Sequence, residues 1–121
     1  MNEPVRKPIQ WVASSQKDLG KMPKGVRLVV GYALHLAQIG QKHEQSKALK
    51  GRGSAGVLEV VEDDDGNTYR AVYTVQFKDA VYVLHCFQKK STKGIATPKK
   101  EMDLVLKRLQ AARQQSEGVG K

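Results

Sequence analysis

The stretch VLEVVEDDDGNTYRAVYTVQFKDAVYVLHCFQ, residues 57–88, contains three runs of strand-forming residues separated by turn signals. The first turn is DDDGN at 63–67, and the second is Lys78-Asp79. Both are short enough to join neighbouring antiparallel strands. We therefore predict strands at 57–62, 69–77 and 80–88 that form a three-strand antiparallel meander.

Alternation along these strands predicts which side chains share a face. We expect the following residues of the middle strand to pack against helices: Tyr69, Ala71, Tyr73, Val75 and Phe77. The opposite face of that strand, which we expect to be partly open, carries Arg70, Val72, Thr74 and Gln76. In the last strand His85 alternates with Val81, Val83 and Phe87, whereas Cys86 points the other way, into the core.

The flanking sequence adds one strand and three helices. We predict a short strand at 8–13, a helix at 15–22 and a second helix at 24–40, followed by a polar loop at 41–56. After a basic loop, Thr97-Pro98 is a good helix start, and the third helix carries an apolar stripe of Met102, Val105, Leu106 and Leu109. These elements predict an α+β fold in which a small antiparallel sheet, the meander plus the N-terminal strand, packs against two N-terminal helices and one C-terminal helix.

Length and charge restrict the function classes. The 121 residues suit a single domain over 1–113, and the polar residues 114–121 suit a disordered tail. A net charge of +9 favours polyanionic partners, and the lone cysteine excludes an intramolecular disulfide or a cysteine zinc cluster. The sequence has no membrane-spanning stretch and no signal peptide, so we expect a cytoplasmic protein without membrane association.

Common catalytic motifs are missing from the sequence. It contains no phosphate-binding loop, no GxSxG, no HExxH and no complete calcium loop. The three histidines have no spacing that would place two rings on one metal, so we expect neither a metal ion nor a small-molecule cofactor. The run Asp63-Asp64-Asp65 is interpreted as a solvated turn, with a calcium site or an acidic contact for a basic partner as the alternatives.

Basic residues from separate segments are predicted to meet at one end of the sheet. Arg70 opens the middle strand, Lys89 and Lys90 close its antiparallel neighbour, and Lys50 and Arg52 precede the meander. This arrangement predicts a cationic cleft, although the same charges could serve solubility alone. Arg70 interrupts an apolar strand, and a buried guanidinium needs an anionic partner.

Three segments, YRAVY at 69–73, HCFQKK at 85–90 and ATPKKE at 96–101, occur in an order that resembles a known family. The sequence is similar to phage-derived Gp49-like proteins, the HigB-type branch of the RelE/ParE toxin superfamily, from Gln10 to about Leu109. The resemblance implies a RelE-like fold and the toxin of a type II toxin–antitoxin pair, which cuts mRNA in the ribosomal A site by attack of a 2′-hydroxyl on the adjacent phosphate. It also implies an antitoxin encoded by an adjacent gene, often with a helix-turn-helix domain.

The resemblance also implies residue roles. Arg70 would contact the scissile phosphate, and Lys89 or Lys90 would stabilise charge or supply a proton. Contacts to mRNA or ribosomal RNA are expected from Lys50, Arg52 and Lys93. For His85 the alternatives are a structural role in packing and a role in RNA contact or proton transfer. A general base is unassigned, because the loop before the third helix has neither the tyrosine nor the histidine of some relatives.

Two other functions are compatible with the same sequence. Some relatives inhibit DNA gyrase without cutting RNA, and likeness at the level of the fold does not separate the two activities. A plain RNA-binding protein is a third reading, but the small number of aromatic residues argues against a stacking platform. The antitoxin is expected to cover the cationic cleft or an exposed helix stripe.

Overall fold

A computed structural model describes residues 6–50, 56–89 and 97–119. Within these ranges the chain forms five strands and three helices, which confirms the α+β class. In chain order they are β1 (Ile9–Trp11), α1 (Ser15–Gly20), α2 (Lys24–Gln38), β2 (Ser46–Ala48), β3 (Val57–Asp64), β4 (Asn67–Thr74), β5 (Val81–Lys89) and α3 (Lys99–Val119). None of the helices in these ranges combines the length and the apolar character that a membrane crossing requires.

The sheet has the strand order β1-β5-β4-β3-β2. The predicted meander is present as β3, β4 and β5, all antiparallel. The prediction was wrong on three points. β1 runs parallel to β5, β2 adds a fifth strand inside the segment predicted as a loop, and β4 ends at Thr74, so that residues 75–77 belong to the connection to β5. Three residues are too few to show alternation, so β2 carries no strand signal, and its place depends on tertiary pairing with β3.

Helix α3 extends further than the sequence predicted. It continues to Val119, so residues 114–119 are helical where we predicted the start of a disordered tail. Two features hold this part of the helix on the sheet. The side chain of Ala112 is fully buried, and the Ser116 hydroxyl donates a hydrogen bond to Asp79 Oδ1 at 2.5 Å. Tertiary packing of this kind overrides the weak helix propensity of a polar, glycine-containing segment.

Both faces of the sheet are covered. Helices α1 and α2 pack on one face, with Val26, Val30 and Ala33 against Tyr73 and Val83, and α3 packs on the other. The prediction that the second face of the middle strand is partly open was therefore wrong. The apolar stripe of α3 covers that face, and its core contains Val72, Tyr82, Leu84, Phe87, Val105, Leu109 and Ala112.

A β-bulge in β5 changes which side chains share a face. Val72 pairs with His85 but Tyr73 pairs with Val83, which leaves Leu84 as an extra residue. Leu84 and His85 therefore both face α3, whereas Val81 and Val83 face α1 and α2. The predicted grouping of His85 with Val81 and Val83 was wrong, because simple alternation has no signal for the inserted residue.

Cys86 lies in the core between β5 and the first two helices, as predicted. It is 2% exposed, and burial together with the nearby Asp18 carboxylate raises the pKa of its thiol to about 12. Since the thiolate is the reactive form, we expect no alkylation by iodoacetamide at pH 8 in the native protein and rapid alkylation after unfolding in guanidinium. Mass spectrometry of the intact chain measures both, and native-state labelling at the unfolded rate would contradict this placement.

Candidate functional site

A buried ion pair joins β3 and β4. Arg70 Nη1 lies 3.2 Å from each carboxylate oxygen of Glu59, and both side chains are 5% exposed. The register explains the contact: Val61 faces Arg70 across the ladder, and Glu59 lies two positions along β3 on the same side of the sheet. Glu59 is thus the anionic partner that the predicted burial of Arg70 required.

Glu59 also lines a cleft between the β2 region and the start of α3. The cleft has a volume of about 350 Å³ and is lined by Lys47, Ala48, Leu49, Lys50, Glu59, Thr97 and Met102. Lys47 and Lys50 are exposed, and the Thr97 hydroxyl donates to Glu59 Oε2 at 3.4 Å. Two ammonium groups therefore share one cavity with a carboxylate whose position is set by Arg70 and Thr97.

The predicted basic residues are only partly brought together. Lys89 pairs with Thr68 and Arg70 with Phe87, so Lys89 and Arg70 are diagonal neighbours on the same face of the sheet, as predicted. Lys89 is buried, whereas Lys50 lies at the wall of the cleft. The remaining predicted basic site residues, Arg52, Lys90 and Lys93, lie outside the described residues.

His85 is held by two residues of α3. Its Nδ1 lies 3.2 Å from Arg108 Nη1, and its Nε2 lies 3.0 Å from Glu101 Oε1. Arginine can only donate, so Nδ1 accepts, and the ring proton is on Nε2, which donates to the carboxylate. Both ring nitrogens are used in these contacts, and the ring stacks on Phe87 with centroids 4.8 Å apart, so His85 links the sheet to α3. Its contact with RNA stays a prediction.

Arg108 is a residue that sequence reasoning missed. Besides His85, it donates to the Leu84 carbonyl oxygen at 3.0 Å and to the Ser14 hydroxyl at 3.1 Å, and that hydroxyl donates to Asp18. It thereby fastens α3 to the bulge in β5 and to the start of α1. Helical spacing gave a signal, since position 108 lies beside 105, 109 and 112 on the face that packs on the sheet.

Glu59 was the second residue missed. It sits between Leu58 and Val60 in a strand that is otherwise apolar at this point, and it shares a face with Val57. A charged residue on a buried strand face is uncommon unless it is paired, which is the argument that was applied to Arg70 alone. No cluster of metal-ligating side chains occurs in the part of the chain that the structure describes.

The fold and the cleft define a small basic α+β protein whose charged site lies against the sheet. The chain belongs to the phage-derived Gp49-like protein family, whose model matches residues 17–110, and this is a HigB/RelE-like toxin family. Membership is consistent with the toxin of a toxin–antitoxin pair and suggests an antitoxin as partner. No curated protein gives a significant match to the sequence.

Proposed function

We propose that this chain is the toxin of a type II toxin–antitoxin pair and that it cuts mRNA on translating ribosomes. The observation that supports the proposal is the cleft, where a carboxylate fixed by a buried arginine lies with two exposed lysines. Metal-independent RNA cleavage needs a base for the 2′-hydroxyl and positive charge around the phosphate, and the cleft combines both.

Glu59 is the proposed general base. Its carboxylate takes the proton of the ribose 2′-hydroxyl, the 2′-oxygen attacks the adjacent phosphorus, and the bond from phosphorus to the 5′-oxygen breaks. The products are a 2′,3′-cyclic phosphate and a 5′-hydroxyl, whose proton we assign to Lys89 or Lys90. This choice supplies the base that the sequence left unassigned.

Two groups of cationic side chains supply positive charge to the site, one at the wall of the cleft and one buried in the sheet. Lys47 and Lys50 at the wall bind the phosphate, together with Arg52 and Lys93, and they stabilise the negative charge that develops on it. Arg70 is 4% exposed and paired with Glu59, so we assign it to orienting that carboxylate and adding charge beneath the cleft, in place of a direct phosphate contact.

Glu59→Gln tests the proposal. It keeps an oxygen that accepts from Arg70 but removes the base, so we expect cleavage to fall by about 10²–10⁴-fold. Primer extension on one defined mRNA, free or on translating ribosomes, measures the cuts, which we expect only on translated message. Lys107→Ala, an exposed cation of α3 outside the cleft, is the matched control and should cut at the wild-type rate.

Two outcomes contradict the proposal. If Glu59→Gln cut mRNA at the wild-type rate, Glu59 would not be the general base, although the chain would still be an endonuclease. Growth arrest by the wild-type chain with intact transcripts and DNA damage would replace cleavage by the alternative, inhibition of gyrase.

The partner is proposed to be an antitoxin encoded by an adjacent gene, with a helix-turn-helix domain. Two surfaces of the structure suit it: the cleft, whose lysines attract acidic side chains, and the outer side of α2, where Leu28 and Tyr32 are 64% and 56% exposed.

A further inference from the structure

Strand β1 forms one outer edge of the sheet, because its one strand partner in the described part of the chain is β5. Pro8 accepts a backbone hydrogen bond from β5 at 3.0 Å, and Val12 donates one to β5 at 2.9 Å. Backbone groups of successive strand residues point to opposite sides, so the N–H and C=O groups of Ile9 and Trp11 point away from β5. These groups have no hydrogen-bond partner among the described residues. Such an edge is a template for one further strand.

The chain turns away from this edge directly after β1. Ala13 adopts a φ of 51°, in the left-handed region, and the Ser15 N–H donates to the Val12 carbonyl oxygen at 3.1 Å. The turn leads into α1, which packs over β5 on the face of the sheet. The element that follows β1 therefore leaves the outer edge of β1 open to another chain.

A groove of about 450 Å³ lies beside the edge. One wall consists of residues 11–13, and the other is the side of α3 that carries Leu104, Lys107 and Arg108. Lys107 is exposed, and the guanidinium of Arg108 is held in place by the contacts described above. The described lining of the groove contains these two cations and no carboxylate, so it complements acidic side chains.

The combination of a strand edge with cations favours a peptide over other occupants. A peptide can pair its main chain with the edge, whereas a nucleic acid would use the cations but has no row of N–H and C=O groups to match the strand. A second copy of this chain would bring Arg6 and Lys7, which precede its own β1, close to Lys107, so like charges would meet. An acidic peptide satisfies both features.

We propose that the edge of β1 and this groove bind an extended segment of a partner protein in which apolar and acidic residues alternate. The segment adds to the sheet as a sixth strand beside β1, so its side chains alternate between the two faces. Its apolar side chains lie beside Ile9 and Trp11, which pack on the side of α1 and α2. Its acidic side chains lie on the α3 side, near Lys107 and Arg108.

The position of this docking site makes it independent of the proposed cleavage. Strand β1 lies at one edge of the sheet, and β2, beside which the cleft lies, is at the other. A segment bound at β1 therefore leaves the cleft open, together with the antitoxin surfaces suggested above.

NMR titration of the full chain with a short peptide of alternating valine and glutamate tests the inference. We expect hydrogen exchange to slow at the Ile9 and Trp11 amides, which gain partners, and to stay unchanged at Gln10, whose amide already faces β5. The same peptide with N-methylated amides should lose binding, because it has no N–H groups to donate. A peptide of alternating valine and lysine should bind at least about tenfold more weakly.

A charge reversal at the groove makes the test specific. Lys107→Glu should weaken binding of the glutamate peptide about three- to tenfold and strengthen binding of the lysine peptide, because it exchanges attraction and repulsion at an exposed site. Arg113→Glu is the matched control, since Arg113 is an exposed cation of the same helix that does not line the groove. It should keep the wild-type preference for the glutamate peptide.

Several results would overturn the inference. Equal affinities for the two peptides, equal losses in Lys107→Glu and Arg113→Glu, or slowed exchange at amides outside β1 would remove the docking site. Protection of the Ile9 and Trp11 amides in a peptide-free dimer would make a second copy the occupant, and displacement of the peptide by single-stranded RNA would make RNA the occupant. Failure of the proposed function is separate: a chain that binds the peptide but cuts no message overturns cleavage alone, and saturating peptide should leave any cutting rate unchanged.

Discussion

Arg70→Met is expected to lower the free energy of unfolding by about 3–5 kcal/mol, the usual cost of removing one partner from a buried ion pair. The physical reason is that Glu59, 4% exposed, would keep a buried carboxylate without its guanidinium. Urea unfolding followed by circular dichroism measures the change. A shift of the midpoint at constant m-value would show that stability itself has changed.

Two further variants make this result specific. Arg70→Met combined with Glu59→Leu removes both charges and should recover much of the loss, since apolar replacement of a buried pair is often neutral. Lys99→Met breaks the exposed pair with Asp103, whose side chains are 89% and 62% exposed, and should cost less than about 1 kcal/mol. If Arg70→Met were as stable as Lys99→Met, the Arg70–Glu59 ion pair would make no contribution to stability.

The same pair changes how a toxicity assay must be interpreted. From the sequence, removal of Arg70 is expected to abolish toxicity with the fold intact. The structure gives Arg70 a structural contact as well, so loss of toxicity in Arg70→Ala reports on chemistry only where the folded fraction is matched to the wild type. Glu59→Gln leaves the buried Arg70 guanidinium without its carboxylate, so its cleavage rate must likewise be compared at a folded fraction matched to the wild type.

Deletion of Leu84 is expected to leave the chain folded and to lower the free energy of unfolding by about 2–5 kcal/mol, the usual cost of losing one large buried side chain. Without the bulge residue, strict alternation keeps residues 85–89 of β5 on their native faces, because Leu84 and His85 both face α3. His85, Phe87 and Lys89 would still face α3, and Cys86 would still face α1 and α2. We therefore expect the contacts of His85 with Glu101 and Arg108 to remain.

Far-UV circular dichroism and the dispersion of amide NMR signals measure the effect of the deletion. Leu84→Ala is its control, because it keeps the register while removing a fully buried side chain. That variant should stay folded and lose about 2–5 kcal/mol. An unfolded deletion variant beside a folded Leu84→Ala would contradict this expectation and would show that the bulge itself is needed for the fold.

The sequence predicted the parts of the fold that local signals specify. The DDDGN turn predicted the first hairpin of the meander, and helical periodicity located α2 within two residues of its observed end. The second connection was predicted as Lys78-Asp79 alone, but it covers residues 75–80. The missed features all depend on distant contacts: three residues of β2 pair with β3, β1 adds parallel to β5, and the end of α3 is held by Asp79. No local pattern encodes them.

The site shows the same division. Antiparallel pairing predicted that Arg70 and Lys89 would be neighbours, and burial of Arg70 predicted an anionic partner. The identity of that partner needed the register of β3 against β4, which places Glu59 and not Glu62 beside Arg70. The position of His85 needed the bulge, so its contacts with α3 were beyond pattern reasoning.

The parallel pairing of β1 with β5 has a consequence for the biosynthesis of the chain. Ile9 pairs with Val81, and the cleft takes its walls from residues between Lys47 and Met102, so neither the sheet nor the cleft can close on a partial chain. Contacts between residues so far apart in the sequence form late, because the entropy cost of closing the intervening loop comes before the contacts contribute any stabilising energy. The complete sheet and the complete cleft therefore form only after most of the chain has been synthesised.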